Sequence, residues 1–180
     1  MTYTWQTPQP EGPITTPLCK LVELVAESTN FRVRAGLAAD AVRANEKLID
    51  GADGWEKRIF YPFADLETLE VYPAAVLWTG GTEFTQDSGG HRNFLATSGN
   101  IALLLVDLCK YPEDRETSCR DFTNFAGNVF MDLAEAFGED DNLTGTRIHS
   151  MRGPDRDIIS LSQGQQDRWI CWAEIAWGGS

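Results

Sequence analysis

Histidine is scarce in this sequence, with two residues in 180, and basic side chains are outnumbered, 15 Lys and Arg against 27 Asp and Glu. The net charge of −12 and pI near 4.5 argue against sequestering of nucleic acid by phosphate neutralisation, which needs clustered Lys and Arg. An acidic surface repels DNA and anionic membranes, a property of use where DNA slides past without sticking. No run of about eighteen apolar residues, the length of a membrane span, occurs. The start Met1-Thr-Tyr-Thr-Trp-Gln-Thr-Pro8 lacks the basic and apolar stretches of a secretory leader. The expectation is a chain made in the cytoplasm, with no membrane partner. Its four cysteines, Cys19, Cys109, Cys119 and Cys171, form no CxxC pair and have no histidine at ligand spacing, so they read as reduced core thiols. Without an export route, the sequon at Asn142-Leu143-Thr144 reads as chance. GxGxxG, Walker, HExxH and GxSxG patterns are missing, and Thr79-Gly-Gly-Thr82 has no following lysine and helix to cradle a phosphate.

What the chain does contain is material for one core. Residues 1–13 carry Pro8, Pro10, Gly12 and Pro13 among polar neighbours and read as an extended arm, followed by a single α+β domain over 14–180. Thr16-Pro17 is a helix start, and Leu18, Leu21, Val22 and Val25 share one face of a helix ending near Ser28, with Leu24 off that stripe and read as a lone exposed residue ahead of the alternative, a contact with something else. Asn30 to Leu37 breaks the pattern. Ala38 to Ile49 is weakly helical and ends at Asp50-Gly51. Trp55 to Tyr61 and Ala74 to Thr79 read as strands bounded by Pro62 and Pro73, and the glycine-framed stretch through Thr97 as a long, flexible β-hairpin or loop.

Ile101 to Val106 is apolar at every position, so both faces of that strand leave water. One face falls to the helix predicted over about Thr117 to Phe137, whose Phe122, Phe125, Ala126, Val129, Phe130, Leu133, Ala136 and Phe137 share one arc. The other face calls for the Ala38 piece or a neighbouring subunit. A strand over Leu143 to Met151, a turn at Gly153-Pro154-Asp155, a polar loop to Asp167 and a last strand over Arg168 to Trp177 complete the chain. That last strand sets Trp169, Cys171, Ala173, Ile175 and Trp177 on one side and Ile170, Trp172, Glu174 and Ala176 on the other, a load favouring a sheet covered on both faces. The fold class expected is α+β: a mixed or antiparallel sheet of about four strands, two main helices packed on one face, and a long β-hairpin.

Enzyme chemistry finds little purchase. Glu83, Asp87, His91 and Arg92 are the one local cluster of candidate groups, but the intervening Gly89-Gly90 and Phe84-Thr85 oppose a helix, and one histidine with two carboxylates is a poor metal cage. His149, between Ile148 and Ser150, reads as a structural or surface histidine. No catalytic residue, metal or cofactor is assigned. The aromatic and Arg enrichment of the hairpin instead places Trp78, Phe84, His91, Arg92 and Phe94 at or near a subunit boundary.

The order of elements resembles the tail terminator family of long-tailed bacteriophages, similar in fold to the minor tail protein that caps the lambda tail. The likeness is carried by Leu21 to Ser28 with Phe31, the strand start Pro73-Ala-Ala-Val76, the strand Gly99-Asn-Ile-Ala-Leu-Leu-Leu105, the helix with Phe122 and Leu133, and the close Ile175-Ala-Trp-Gly178. The resemblance implies a non-enzymatic virion protein at the neck end of the tail. Its subunits would form a ring, hexameric in the family, that binds the tail tube protein, ends tube growth and meets a neck or head completion protein, while DNA passes the lumen unbound. A head-tail connector of the same virion is the nearest alternative, and a small acidic metal-dependent hydrolase a distant one.

Overall fold

The computed structural model describes residues 15–36, 58–60, 69, 71–87, 94–139, 146–159 and 167–179. The expected arm over 1–13, the helical piece from Ala38 to Ile49 and the polar loop around 160–166 lie outside the described residues. What is described is α+β, with three helices and an antiparallel sheet centred on three strands.

Helix α1 (Thr15–Glu27) buries Leu18, Leu21, Val22 and Val25, the stripe its spacing predicts. Leu24, expected to be exposed, is 8% accessible and belongs to the same core. After Ser28 the chain does not drift away but turns at once into a short helix, α2 (Thr29–Arg34). The sequence Asn30 to Leu37 shows no apolar periodicity long enough to announce a helix. A cap makes it instead: the Ser28 hydroxyl accepts from the Phe31 N–H at 3.2 Å.

Strand β1 (Ile59–Phe60) runs parallel to β2 (Ala74–Asp87), pairing at Ala75 and Val76. β2 pairs antiparallel with β3 (Phe94–Leu108) from Ala74↔Val106 out to Asp87↔Phe94, with one extra residue in β2 between Thr79 and Thr82. β3 pairs with β5 (Arg168–Gly179), and β5 with β4 (Thr146–Ile159), giving the order β1-β2-β3-β5-β4. The turn expected at Gly153-Pro154-Asp155 is not a turn, since β4 continues through it. β4 lies at the sheet edge, where proline's missing N–H need cost no ladder bond, and the register slips between Arg152 and Asp155 to absorb one extra residue.

Helix α3 (Arg115–Glu139) covers one face. Asp114 starts it, accepting from the Thr117 N–H at 3.0 Å and the Thr117 hydroxyl at 2.7 Å. Those bonds hold the Asp114 carboxyl below the usual carboxylate range. Phe122, Phe125, Ala126, Val129, Phe130 and Leu133 turn inward as predicted and meet Ile101, Leu103 and Leu105 of β3 and Trp169, Cys171, Ala173, Ile175 and Trp177 of β5 in one core. Phe122 stacks on Trp169, ring centroids 6.3 Å apart, and the Trp169 indole N–H donates to buried Ser118 at 2.9 Å. The Cys109 thiol lies 3.1 Å from the same hydroxyl. Cys109, Cys119 and Cys171 form no disulfide among the described residues, and Cys109 and Cys171 are buried.

Two polar joints tie the helices to this layer. Asp132, on the flank of α3, accepts from the Ser28 hydroxyl at 2.6 Å, the Asn30 N–H at 3.0 Å and the Asn30 side-chain amide at 2.9 Å, clamping the start of α2. Arg34, at the end of α2, reaches Asp107 of β3 at 2.6 Å and Asp121 of α3 at 2.7 Å, with its guanidinium 5.2 Å from the centre of the Phe125 ring. Burial opposes the Arg34 charge, but the two carboxylates outweigh it and hold its pKa above the ordinary value. The bond from Arg34 in turn holds the Asp121 carboxyl below its usual range.

Candidate interaction surface

The face of the sheet turned away from α3 is read directly from the pairing. Position by position, three rows cross it: Ala74, Val106 and Ile170; Val76, Leu104 and Trp172; Trp78, Ala102 and Glu174. Strand geometry makes these alternate residues neighbours on one surface. The first row is closed over. Leu69 is buried against Ala74, Val76, Leu104 and Val106, and Tyr72, Trp78 and Ile170 pack around them. The Tyr72 hydroxyl donates to the Leu69 carbonyl at 2.8 Å, and the Arg168 guanidinium sits 5.0 Å from the Tyr72 ring centre. Burial pushes the Tyr72 phenol up from its ordinary pKa. Arg58, also buried, donates to the carbonyls of Tyr72 and Pro73, which fixes this cover to the sheet.

This cover corrects one expectation. The second face of Ile101 to Val106 does not stand wholly unclaimed, because Leu104 and Val106 are buried by Leu69, Ala74 and Val76 of the same chain. Nor does the sheet bury both sides of β5. Along the rows the face opens, and Trp172 stands 40% accessible beside exposed Glu174. Trp78, Ala102, Ile170 and Ala176 are half-buried around it. Glu174 accepts a 2.7 Å hydrogen bond from the Asn100 amide, giving the apolar patch a polar border.

Of the residues singled out from sequence, Trp78 reaches this patch. Trp78 lies in the outer rows. Phe84 pairs with Thr97 and Phe94 with Asp87 farther along the same two strands, and His91 and Arg92 lie outside the described residues. The extra residue between Thr79 and Thr82 matters here. Trp78 is level with Ala102, an even position of β3, and beyond the bulge Phe84 is level with Thr97, an odd one, so the backbone register shifts by one residue between them. Trp172 was missing from the sequence-derived set, although its placement opposite Trp169 and Trp177 in an alternating strand was a usable signal. Glu83 is exposed on β2, Asp87 lies four residues on, and their cluster partner His91 is among the residues not described. Among the described residues no group of three or more His, Cys, Asp or Glu is placed to hold a metal ion. Among them, too, no helix is long and apolar enough to cross a membrane.

Comparison with models of known protein families finds no match, and comparison with curated protein sequences finds no significant one.

Proposed function

We propose that this protein is a structural subunit of a phage tail: a tail terminator whose copies form a ring, hexameric in plan, that caps the tail tube, ends its polymerisation and joins the tail to the neck. The observation that carries the reading is the open part of the outer sheet face, where Trp172 projects among half-buried Trp78, Ala102 and Ile170. A large aromatic on a rigid strand, ringed by partly covered apolar side chains with a polar border, is the anatomy of a protein contact. In finer terms the chain is read as a sheet of about four strands with two main helices on one face, and the long β2–β3 pair as an arm toward a neighbour. The surplus of negative charge suits a passage through which DNA slides without binding. The place of action is the virion, at the neck end of the tail, with tube and neck proteins as partners. The role is one of assembly and needs no cofactor.

Light scattering on the purified protein, followed by electron microscopy of the same sample, tests this. The expected result is a discrete oligomer seen as a ring with a central hole. A monomer at every concentration, with no ring in the images, overturns the reading.

A further inference from the structure

The two edges of the sheet carry opposite charge in a matching position. The outer edge of β2 from Thr79 to Asp87 has no strand paired to it among the described residues, because β1 reaches only Ala75 and Val76. This edge bears Glu83 and Asp87 and no basic residue. At the other edge β4 begins Thr146-Arg-Ile-His-Ser-Met-Arg152, with Arg147, His149 and Arg152 and no acid, in a chain whose net charge is −12. The register connects the two edges. Glu83 is level with Ser98, Ser98 with Gly178, and Gly178 with Arg147, so a single row of paired positions across the sheet begins at an acidic residue and ends at a basic one. Since successive pairs β2·β3, β3·β5 and β5·β4 are all antiparallel, β4 runs opposite to β2. A second copy placed beside the first in the same orientation therefore meets β4 with its own β2 as an antiparallel pair.

We propose that copies of this chain associate edge to edge, β4 of one against β2 of the next, with Arg147 opposite Glu83, so that the sheet continues from subunit to subunit. The inference rests on the ring reading and gives it an interface. Unpaired strand edges are templates for such addition, and opposite charges directly across a strand pair select the register. The contact is head-to-tail, the kind that closes into a ring when each step is a rotation. The exposed glycines Gly80 and Gly81 lie at the bulge just before Thr82, and a side chain at Gly81 would meet nothing within 4 Å, which keeps the start of this edge open to a neighbour.

Disulfide trapping tests the arrangement. In one chain Glu83 and Arg147 are three strand spacings apart, roughly 14 Å, too far for an intramolecular bond. The double variant Glu83→Cys, Arg147→Cys, oxidised and run without reductant, is expected to give a ladder of covalent oligomers ending at the ring number, whereas either single variant gives none beyond the wild-type background. In parallel, Glu83→Arg or Arg147→Glu alone is expected to weaken association by about tenfold or more, and the two together to restore it, with circular dichroism melts confirming that each subunit folds. If light scattering shows the wild type assembled but the double cysteine variant gives no ladder, or the charge exchange fails to rescue, the edge pairing is overturned and the ring reading stands. A wild type that never assembles overturns both.

Discussion

At Gly99 a side chain has nowhere to go. A Cβ there would lie 2.9 Å from the Gly81 carbonyl oxygen and 3.0 Å from Cζ2 of Trp177. One obstacle is backbone and the other a ring that is 2% accessible and packed in the core, so neither can swing aside. Gly99→Ala is expected to destabilise the protein by about 1–3 kcal/mol, the usual cost of overpacking, read as a lower denaturation midpoint in urea with an unchanged slope. A variant as stable as wild type would show that the Gly81 bulge can yield. The Trp177 indole N–H is buried without a hydrogen-bond partner among the described residues, so the fit of this ring is one of shape. Nothing in the linear sequence distinguishes Gly99 from the other fifteen glycines, because its constraint comes from a residue 78 positions away on β5.

Between elements, the joint at Arg34 is the most exacting. It brings together the end of α2, the second turn of α3 and the end of β3 through Asp121 and Asp107, whose side chains are 35% and 4% accessible. Removing the guanidinium leaves the Asp107 charge buried, with a bond from the Leu108 N–H at 2.9 Å in place of the ion pair. Arg34→Ala is expected to cost about 3–5 kcal/mol, the range for breaking a buried pair from one side. Replacing Arg34 and Asp107 together by Met and Leu should recover much of that loss in thermal melts, since the unpaired charge goes with its partner. Elements with strong internal periodicity were legible: the stripe of α1, the arc of α3 and the alternation of β5 each match the burial found. Those defined by distant partners were not. α2 is six residues held by Ser28 and Asp132, β4 runs through Gly153-Pro154 because it is an edge strand, and the register of β2 shifts at a one-residue bulge between Thr79 and Thr82. Of the candidate surface, the aromatic load was visible in the sequence, but which tryptophan remains open was decided by Leu69 and Tyr72 closing over the other end of the face.

For the molecule as a whole, acidity sets the response to pH. Asp114 and Asp121 titrate below the ordinary carboxylate range when folded, so the unfolded chain takes up protons at these groups first as pH falls. The stability they contribute is complete above the unfolded pKa of about 4 and is lost as pH drops through the folded values. Glu23 works in the other sense. Burial raises its pKa despite Lys20 at 3.8 Å, so its contribution is present below the unfolded value and lost as pH rises through the folded one. The expected outcome is a melting temperature that falls steeply below pH 4 in the wild type and less steeply in Asp121→Asn. Glu23→Gln should melt higher than wild type at pH 7 and no higher at pH 3. An acid limb with the same slope in wild type and Asp121→Asn would remove Asp121 from this account.

The placement of the buried sulfur atoms has a practical consequence. Cys109 and Cys171 are 1% and 3% accessible and lie on the α3 side of the sheet, away from both strand edges and from the open tryptophan. An alkylating reagent reaches them only when helix and sheet part, so peptide-resolved labelling at these two positions is a clock for opening of the subunit. Cys119, half-buried on α3, is expected to be modified well ahead of them. Labelling rates compared across protein concentration would then test whether the proposed association slows that opening.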